Sequence, residues 1–319
     1  MSDIHAAHVG VDRPRPVRDF VIRALCLLEG CLWFLLALAL MTQQSWAISL
    51  WPWPDVRMSF VFLASIAAAL GAPLVWIGIT GEFAAFAGLA VNALVLSTGA
   101  TAYLLWRWVH WQEALLPAIG VTILGSVIAA ALYVWSRKLA MRDVRPMPAI
   151  VRAGCVAFAA LLVVVGGALT LQMPRVFPWN LQPQDSTLFG LIFLGAATYF
   201  MHTIAHPRWG FAAPALWSFL AYDAVLFAPY LRMLGGPNGG SAIADYYGSA
   251  ANAWASVNLP SLSIYLTVLS ASTLLGLYMF FVDPRTRVVA AARTATCTDS
   301  LPAPSSRPPA RSKSSCRRC

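Results

Sequence analysis

The chain has 319 residues, of which 59% are hydrophobic and only 11% charged, and its formal net charge is +9. Soluble domains carry about 25% charged residues, so this composition excludes an ordinary soluble protein and indicates a polytopic membrane protein. The basic residues lie mostly between apolar runs, where they serve membrane topology. We therefore expect no nucleic-acid binding.

Eight apolar runs are long enough, at about 20 residues each, to cross a hydrocarbon core of about 30 Å as helices. Helices are expected because isolated strands and loops leave backbone groups unpaired in lipid. In chain order the predicted spans are 20–41, 58–80, 83–106, 114–135, 150–171, 187–205, 211–232 and 261–282. The sequence thus predicts an all-α integral membrane protein with eight transmembrane helices in contact with the lipid bilayer.

Basic residues predict the orientation of these helices. They are concentrated in the N-terminal arm 1–19, in the central connection 137–149 and in the tail 283–319. The positive-inside rule then places both termini on the cytoplasmic side of the cell membrane. The tail is rich in Ser, Pro and Arg, so we expect it to be disordered. Its positive charge either attracts anionic lipid or serves only to keep the tail on the cytoplasmic side.

Two stretches of the chain repeat each other. Leu50-Trp51-Pro52-Trp53-Pro54 and Val176-Phe177-Pro178-Trp179-Asn180 each lead into an apolar run. Matches continue on both sides of these elements, and in that alignment Asn92 corresponds to Asp223. The sequence therefore predicts two four-helix repeats, 20–136 and 150–282. An even number of helices per repeat gives both the same orientation, which is the parallel type of repeat.

The tandem Pro-Trp elements, joined to alanine- and glycine-rich helices, resemble a group of uncharacterised bacterial multi-pass membrane proteins. The resemblance covers most of residues 20–282. In that group the Pro-Trp element is often followed by a Leu-Thr-Pro-Leu type segment, which Leu181-Gln182-Pro183 partly keeps and Asp55-Val56-Arg57 does not. The resemblance implies a multi-pass membrane protein and supplies no activity, cofactor or site residue.

Tryptophan is concentrated at the predicted outer ends of the spans. An aromatic belt at the lipid headgroups is one explanation, because the indole body is apolar and its N–H reaches water. The Pro-Trp elements occur at the same place in both repeats, so they alternatively form rigid corners that seat the second helix of each repeat. On the other side, the short Gly81-Glu82 connection predicts a tight hairpin of the second and third helices.

Ionisable groups at bilayer depth are costly and are candidates for function. At about 1.5 Å per residue, Glu29 and Asp223 fall in the middle third of the membrane. Asp223 takes the repeat position of Asn92, and Tyr222 adjoins it. We therefore predict a substrate or ion pathway that includes Glu29, Asn92, Tyr222 and Asp223. The competing interpretation is that both acids are protonated or hydrogen-bonded packing residues.

His202 and His206 are spaced i, i+4 near the cytoplasmic end of the sixth span, so their imidazoles share one helix face. This spacing suits a metal or haem ligand pair, although the sequence shows no third ligand. We therefore expect no resident cofactor and keep haem or metal as an alternative. The sequence contains no Walker, HExxH or GxSxG motif, which argues against an enzyme of those classes.

The predicted outer loop 233–260 is much longer than its counterpart in the first repeat. Loops of that length are more often functional or disordered than plain connectors, so this loop is a candidate contact for a protein partner. Three functions stay open at this point. The first is a small transporter or permease with a polar site at the midplane between the repeats. The second is a non-transporting assembly or sensory protein that uses this loop, and the third is a haem or metal redox protein.

Overall fold

The computed structural model of the protein describes residues 16–53, 55–234 and 257–286. Within these ranges the chain is helical and contains no strand. Eight of its helices are long and apolar enough to cross a membrane. The prediction of a multi-pass, all-helical membrane protein is therefore confirmed at this level.

The helices follow the predicted spans closely, because long apolar runs between polar or proline-containing segments mark their ends. A four-residue helical turn, Ser45–Ile48, precedes the first Pro-Trp element. We number the eight long helices α1 Pro16–Met41, α2 Arg57–Thr80, α3 Phe86–Trp111, α4 Leu116–Ser136, α5 Ala149–Thr170, α6 Pro183–Ala205, α7 Trp209–Leu234 and α8 Leu259–Leu277.

Several helix ends differ from the prediction, and among them α6 begins at Pro183 rather than at 187. Helix α1 begins within the predicted polar arm, and α3 continues past the predicted end at 106 to Trp111. Gln112 closes α3 in the left-handed conformation, with φ of 50°. Arg107 therefore lies within a helix. The predicted tail beyond residue 286 and residues 235–256 of the long loop lie outside the described residues.

The helices pack in a crossed pattern. Helix α1 packs on α2, α3 on α4 and α5 on α6, while α2 packs on α7 and α3 on α6. Helices α2 and α3 are joined by the short Gly81-Glu82 turn, yet they do not pack along each other. The predicted tight hairpin is therefore wrong, because each of these helices finds its apolar partner in the other half of the chain.

Glycines allow the closest helix approaches. A Cβ atom built on Gly190 of α6 would lie 2.5 Å from the backbone N of Thr170 and 2.7 Å from the carbonyl oxygen of Gly166, both on α5. Gly30 on α1 and Gly71 on α2 meet in the same way. Small residues at such crossings let backbones approach and gain dispersion contacts that lipid cannot supply.

A buried carboxylate organises the connection 137–149. Glu82 is 3% exposed, and its side chain accepts backbone N–H groups of Arg142 at 3.0 Å and Asp143 at 2.7 Å. The same connection is bonded to the turn before α7, since Trp209 N donates to Arg145 O at 2.8 Å. The connection is thus held against the turns that precede both α3 and α7.

Helix α8 stands apart from its neighbour. The backbones of α7 and α8 do not approach as closely as those of α3 and α4. The described residues divide into two compact units, with the boundary after Gly276. Within the second unit, Tyr278–Val282 forms a π-helical turn and Thr286 Oγ1 donates to Met279 O at 2.6 Å.

Candidate functional site

A cavity of about 140 Å³ lies among the helices of the first unit. Residues of α2, α3, α5, α6, α7 and α8 line it, so both halves of the chain contribute to its wall. One water needs roughly 10–15 Å³ of such volume, so this space is large enough for a multi-atom ligand. The separation of α8 from α7 leaves this space unfilled by side chains.

The wall is mostly apolar and aromatic. Leucine, isoleucine and valine side chains alternate with rings from α5, α6 and α7. The phenylalanines among them are Phe158, Phe193, Phe200 and Phe219. Ile264 of α8 belongs to the lining and is also 58% exposed, so the cavity reaches the surface of the helix bundle beside α8.

Asp223 of α7 is the acidic group in this wall and is only 2% exposed. Its Oδ2 accepts hydrogen bonds from Ser272 Oγ at 2.6 Å and Thr273 Oγ1 at 2.9 Å, both on α8. Its Oδ1 is buried and has no hydrogen-bond partner among the described residues. A buried carboxyl oxygen without a partner is unfavourable unless a ligand or water supplies a donor.

Two tyrosine hydroxyls of the cavity wall are also buried without a hydrogen-bond partner among the described residues. Tyr199 of α6 and Tyr265 of α8 both line the cavity, and within the described part of the chain neither buried hydroxyl has a hydrogen-bond partner. A phenol can donate or accept, so each can complement a polar group of a ligand. The cavity therefore combines an apolar body with a few polar atoms that the protein itself does not satisfy, as ligand sites commonly do.

The structure brings together three of the four predicted pathway residues. Asn92, Tyr222 and Asp223 all line the cavity. Asn92 comes from α3 and faces α6 at Gly195, where a Cβ atom would lie 2.6 Å from Asn92 Oδ1. The glycine thus lets α6 approach the side of α3 that carries the amide.

Glu29 is not part of this group. Its side chain is exposed on α1, and it is absent from the residues that line the cavity. Helix α1 packs on α2 through Gly30, which turns the neighbouring Glu29 toward the perimeter of the bundle. Arg23, the basic residue on the same stripe of α1, donates to the carbonyl oxygen of Thr80 at 3.2 Å.

The two histidines lie beside each other rather than around a common centre. The rings of His202 and His206 stack with centroids 4.4 Å apart, and both rings contact Phe211. His206 Nδ1 lies 3.0 Å from the carbonyl oxygen of His202. Among the described residues, no group of three or more His, Cys, Asp or Glu side chains is placed to hold a metal ion.

An aromatic cluster connects the cavity wall to the Pro-Trp elements. The ring of Phe62 lies 5.1 Å from that of Phe177 and 4.7 Å from that of Phe189, and Phe193 continues the cluster into the cavity wall. Trp179 packs on Phe177 and is 2% exposed. Trp106 and Trp111, by contrast, are 48% and 64% exposed, as a headgroup belt requires. The tryptophans therefore divide between a surface set and a buried set.

Sequence reasoning missed four polar residues of the site: Tyr199, Tyr265, Ser272 and Thr273. Tyr199 lies in an apolar span, and the sequence does not show which aromatic residues of that span face a cavity. The adjacent Ser272 and Thr273 were a usable signal, because two hydroxyl residues in a membrane helix commonly bond to another helix.

Comparison of the chain with protein-family models, with curated proteins and with solved structures found no match. The function must therefore be inferred from the residues of the cavity themselves.

Proposed function

We propose that the protein is a small transporter or permease whose binding site is the cavity at Asp223. The observation that carries this proposal is the unpartnered Asp223 Oδ1 in the wall of an apolar cavity at membrane depth. Ionisable residues within membrane helices commonly mark substrate or ion pathways. A residue retained only for packing would have both carboxyl oxygens satisfied by the protein.

The lining favours one class of ligand. Its aromatic and aliphatic walls suit an apolar body, and Asp223 Oδ1 suits one hydrogen-bond donor such as an amine or a hydroxyl. A strongly hydrated ion would have too few polar atoms in this wall to replace its water shell.

We also infer that the chain consists of two four-helix repeats. In two four-helix repeats α2 corresponds to α6 and α3 to α7. The packing of α2 on α7 is then equivalent to the packing of α6 on α3, and the structure contains both contacts, which supports the repeat. The position of the cavity then agrees with transporters that place their site at a repeat interface near the midplane. The basic residues favour cytoplasmic termini, and reporter fusions that place Trp179 on the cytoplasmic side would contradict this orientation.

Cysteine accessibility tests the transport pathway without a known substrate. Ala196 of α6 lines the cavity, whereas its neighbour Ala197 is 1% exposed in the helix packing and does not line it. Each alanine is changed to cysteine in a background whose six native cysteines are replaced by alanine. The variants are then treated with a membrane-impermeant thiol reagent in right-side-out and in inside-out vesicles.

We expect Ala196→Cys to react from both sides of the membrane and Ala197→Cys to react from neither. Reaction from both sides requires that the cavity opens alternately or continuously to each face. If Ala196→Cys reacts from neither side while both variants fold and insert normally, the cavity is not a pathway and the transporter proposal fails.

A further inference from the structure

Two carboxyl groups meet at the end of the bundle that carries the Pro-Trp elements, away from the cavity. Asp55 precedes α2, and Asp185 lies in the first turn of α6. Asp185 is fully buried and Asp55 is half-buried. The two side chains lie within hydrogen-bonding reach of each other.

One oxygen of each carboxyl group is already occupied. Asp185 Oδ1 accepts the indole N–H of Trp51 at 2.8 Å. Asp55 Oδ1 accepts the backbone N–H of Val56 at 2.6 Å. The Oδ2 atoms of both aspartates are buried, and no N–H or O–H group of the described residues bonds to either.

Two ionised carboxylates cannot satisfy each other, because both are acceptors and both are negative. A single proton between the two oxygens removes the repulsion and supplies the missing donor, as in other carboxyl pairs that share one site. No charged side chain of the described residues bonds the Oδ2 atom of either aspartate. Arg107 of α3 forms an ion pair with Glu113, and Arg57 opens α2.

We propose that Asp55 and Asp185 form a proton-binding site, with one proton held between their Oδ2 atoms. The bound proton joins the start of α2 to the start of α6. Its loss would leave two negative charges side by side in a buried position and would force these two helix starts apart. The pair binds this proton whether or not the cavity admits a ligand.

Burial raises the pKa of Asp55 above its ordinary value. A carboxyl group whose pKa is raised by folding adds stability below the pKa of the unfolded chain, about 4, and that stability is lost as the pH rises through the folded value. The proton site therefore predicts that the protein becomes less stable as the pH rises above about 4.

The test measures the melting temperature of the detergent-solubilised full chain from about pH 5 to about pH 9. We expect the melting temperature of the wild type to fall with increasing pH, and we expect this fall to be smaller in Asp185→Asn. An amide at 185 donates to ionised Asp55 without a proton. Asp55→Asn should behave in the same way, so the proposal can still be tested if one of the two variants fails to fold.

A second readout detects the proton itself. The infrared carbonyl band of a protonated carboxyl group should weaken in both Asn variants, because each removes the same shared proton. Asp143→Asn is the matched control, since Asp143 forms an ion pair with Arg145 at the other end of the bundle. It should leave the band and the pH profile unchanged.

Two results would overturn the proposal. One is a pH profile and infrared band that are the same in the wild type and in both Asn variants. The other is a rise of the wild-type melting temperature with added calcium at about pH 8 that both variants lack, since the pair would then hold a divalent cation in place of the proton.

Discussion

The indole N–H of Trp179 donates to Ser59 Oγ at 3.1 Å, and both residues are buried. Ser59 follows Trp53 by six residues, and Asp185 follows Trp179 by six residues. Asp185 in turn accepts the N–H of Trp51. Each Pro-Trp element is therefore bonded to the start of the second helix in the other half of the chain. The indole N–H groups of Trp51 and Trp179 thus attach each element to the opposite half of the chain.

Removing the Trp179 indole N–H should weaken the attachment of the second Pro-Trp element to α2. We expect Trp179→Phe to lower the free energy of unfolding by about 1–3 kcal/mol, from the lost hydrogen bond and the space left by the smaller ring. Ser59→Ala tests the same bond from the other side. In a double-mutant cycle measured in mixed micelles, the two changes should couple by roughly 0.5–1.5 kcal/mol. Strict additivity would mean that the bond contributes nothing.

Gly190 should not tolerate alanine. The added Cβ atom would overlap backbone atoms of α5, which cannot move aside as a side chain can. We expect Gly190→Ala to destabilise the protein by about 1–3 kcal/mol. The control is Gly120→Ala on α4, where no atom lies within 4 Å of the added Cβ atom. There the higher helix propensity of alanine should leave stability unchanged or raise it by up to about 1 kcal/mol.

Glu82 should decide whether the connection 137–149 is ordered. In Glu82→Ala the backbone N–H groups of Arg142 and Asp143 lose their acceptor, which costs about 0.5–1.5 kcal/mol for each lost hydrogen bond. We expect trypsin to cleave the connection faster in this variant, because the backbone at Arg142 is no longer held by Glu82 and can enter the protease site. Asp19→Asn, which removes only the ion pair between Asp19 and Arg142, should change the cleavage rate little.

The ligand class proposed for the cavity can be tested with two probes of equal size. Benzylamine and ethylbenzene share a ring and have the same number of non-hydrogen atoms, and only benzylamine carries a donor for Asp223 Oδ1. We expect the wild type to bind benzylamine roughly tenfold more tightly, which corresponds to about 1.4 kcal/mol for a charge-assisted hydrogen bond.

Asp223→Asn should remove this preference and still fold, since the same type of side chain is present at Asn92 in the cavity wall. Melting-temperature shifts at increasing probe concentration give the affinities. Equal preference in the wild type and the variant would show that Asp223 Oδ1 does not face the ligand.

Much of the fold was predictable because the signal was strong and local. Long apolar runs gave the eight helices to within a few residues, apart from the last turn of α3. That turn was missed because Arg107 and His110 reduce the local hydropathy. Their side chains are compatible with a helix end at the membrane surface. The extended helix brings Arg107 to Glu113, which the sequence could not show.

The site was only partly predictable because the direction in which a helix faces is not encoded in a uniformly apolar span. Asp223 was identified from its cost in lipid and Asn92 from its matching repeat position, and both line the cavity. Glu29 is also an acid in an apolar span, but its side chain is exposed on α1 and does not line the cavity. The depth of a residue in the membrane does not specify whether its side of the helix faces the bundle. Asp55 and Asp185 gave no signal, because each acid at a helix start resembles an ordinary solvated residue.

The crossed packing of α2 on α7 and of α3 on α6 has a consequence for synthesis of the protein. When the first four helices have left the ribosome, the sides of α2 and α3 that bear Ser59 and Asn92 face lipid or the insertion machinery. They find their partners only after α6 and α7 have entered the membrane. The first half should therefore remain open during translation, and a chain truncated after the connection 137–149 should be degraded although all its helices can insert.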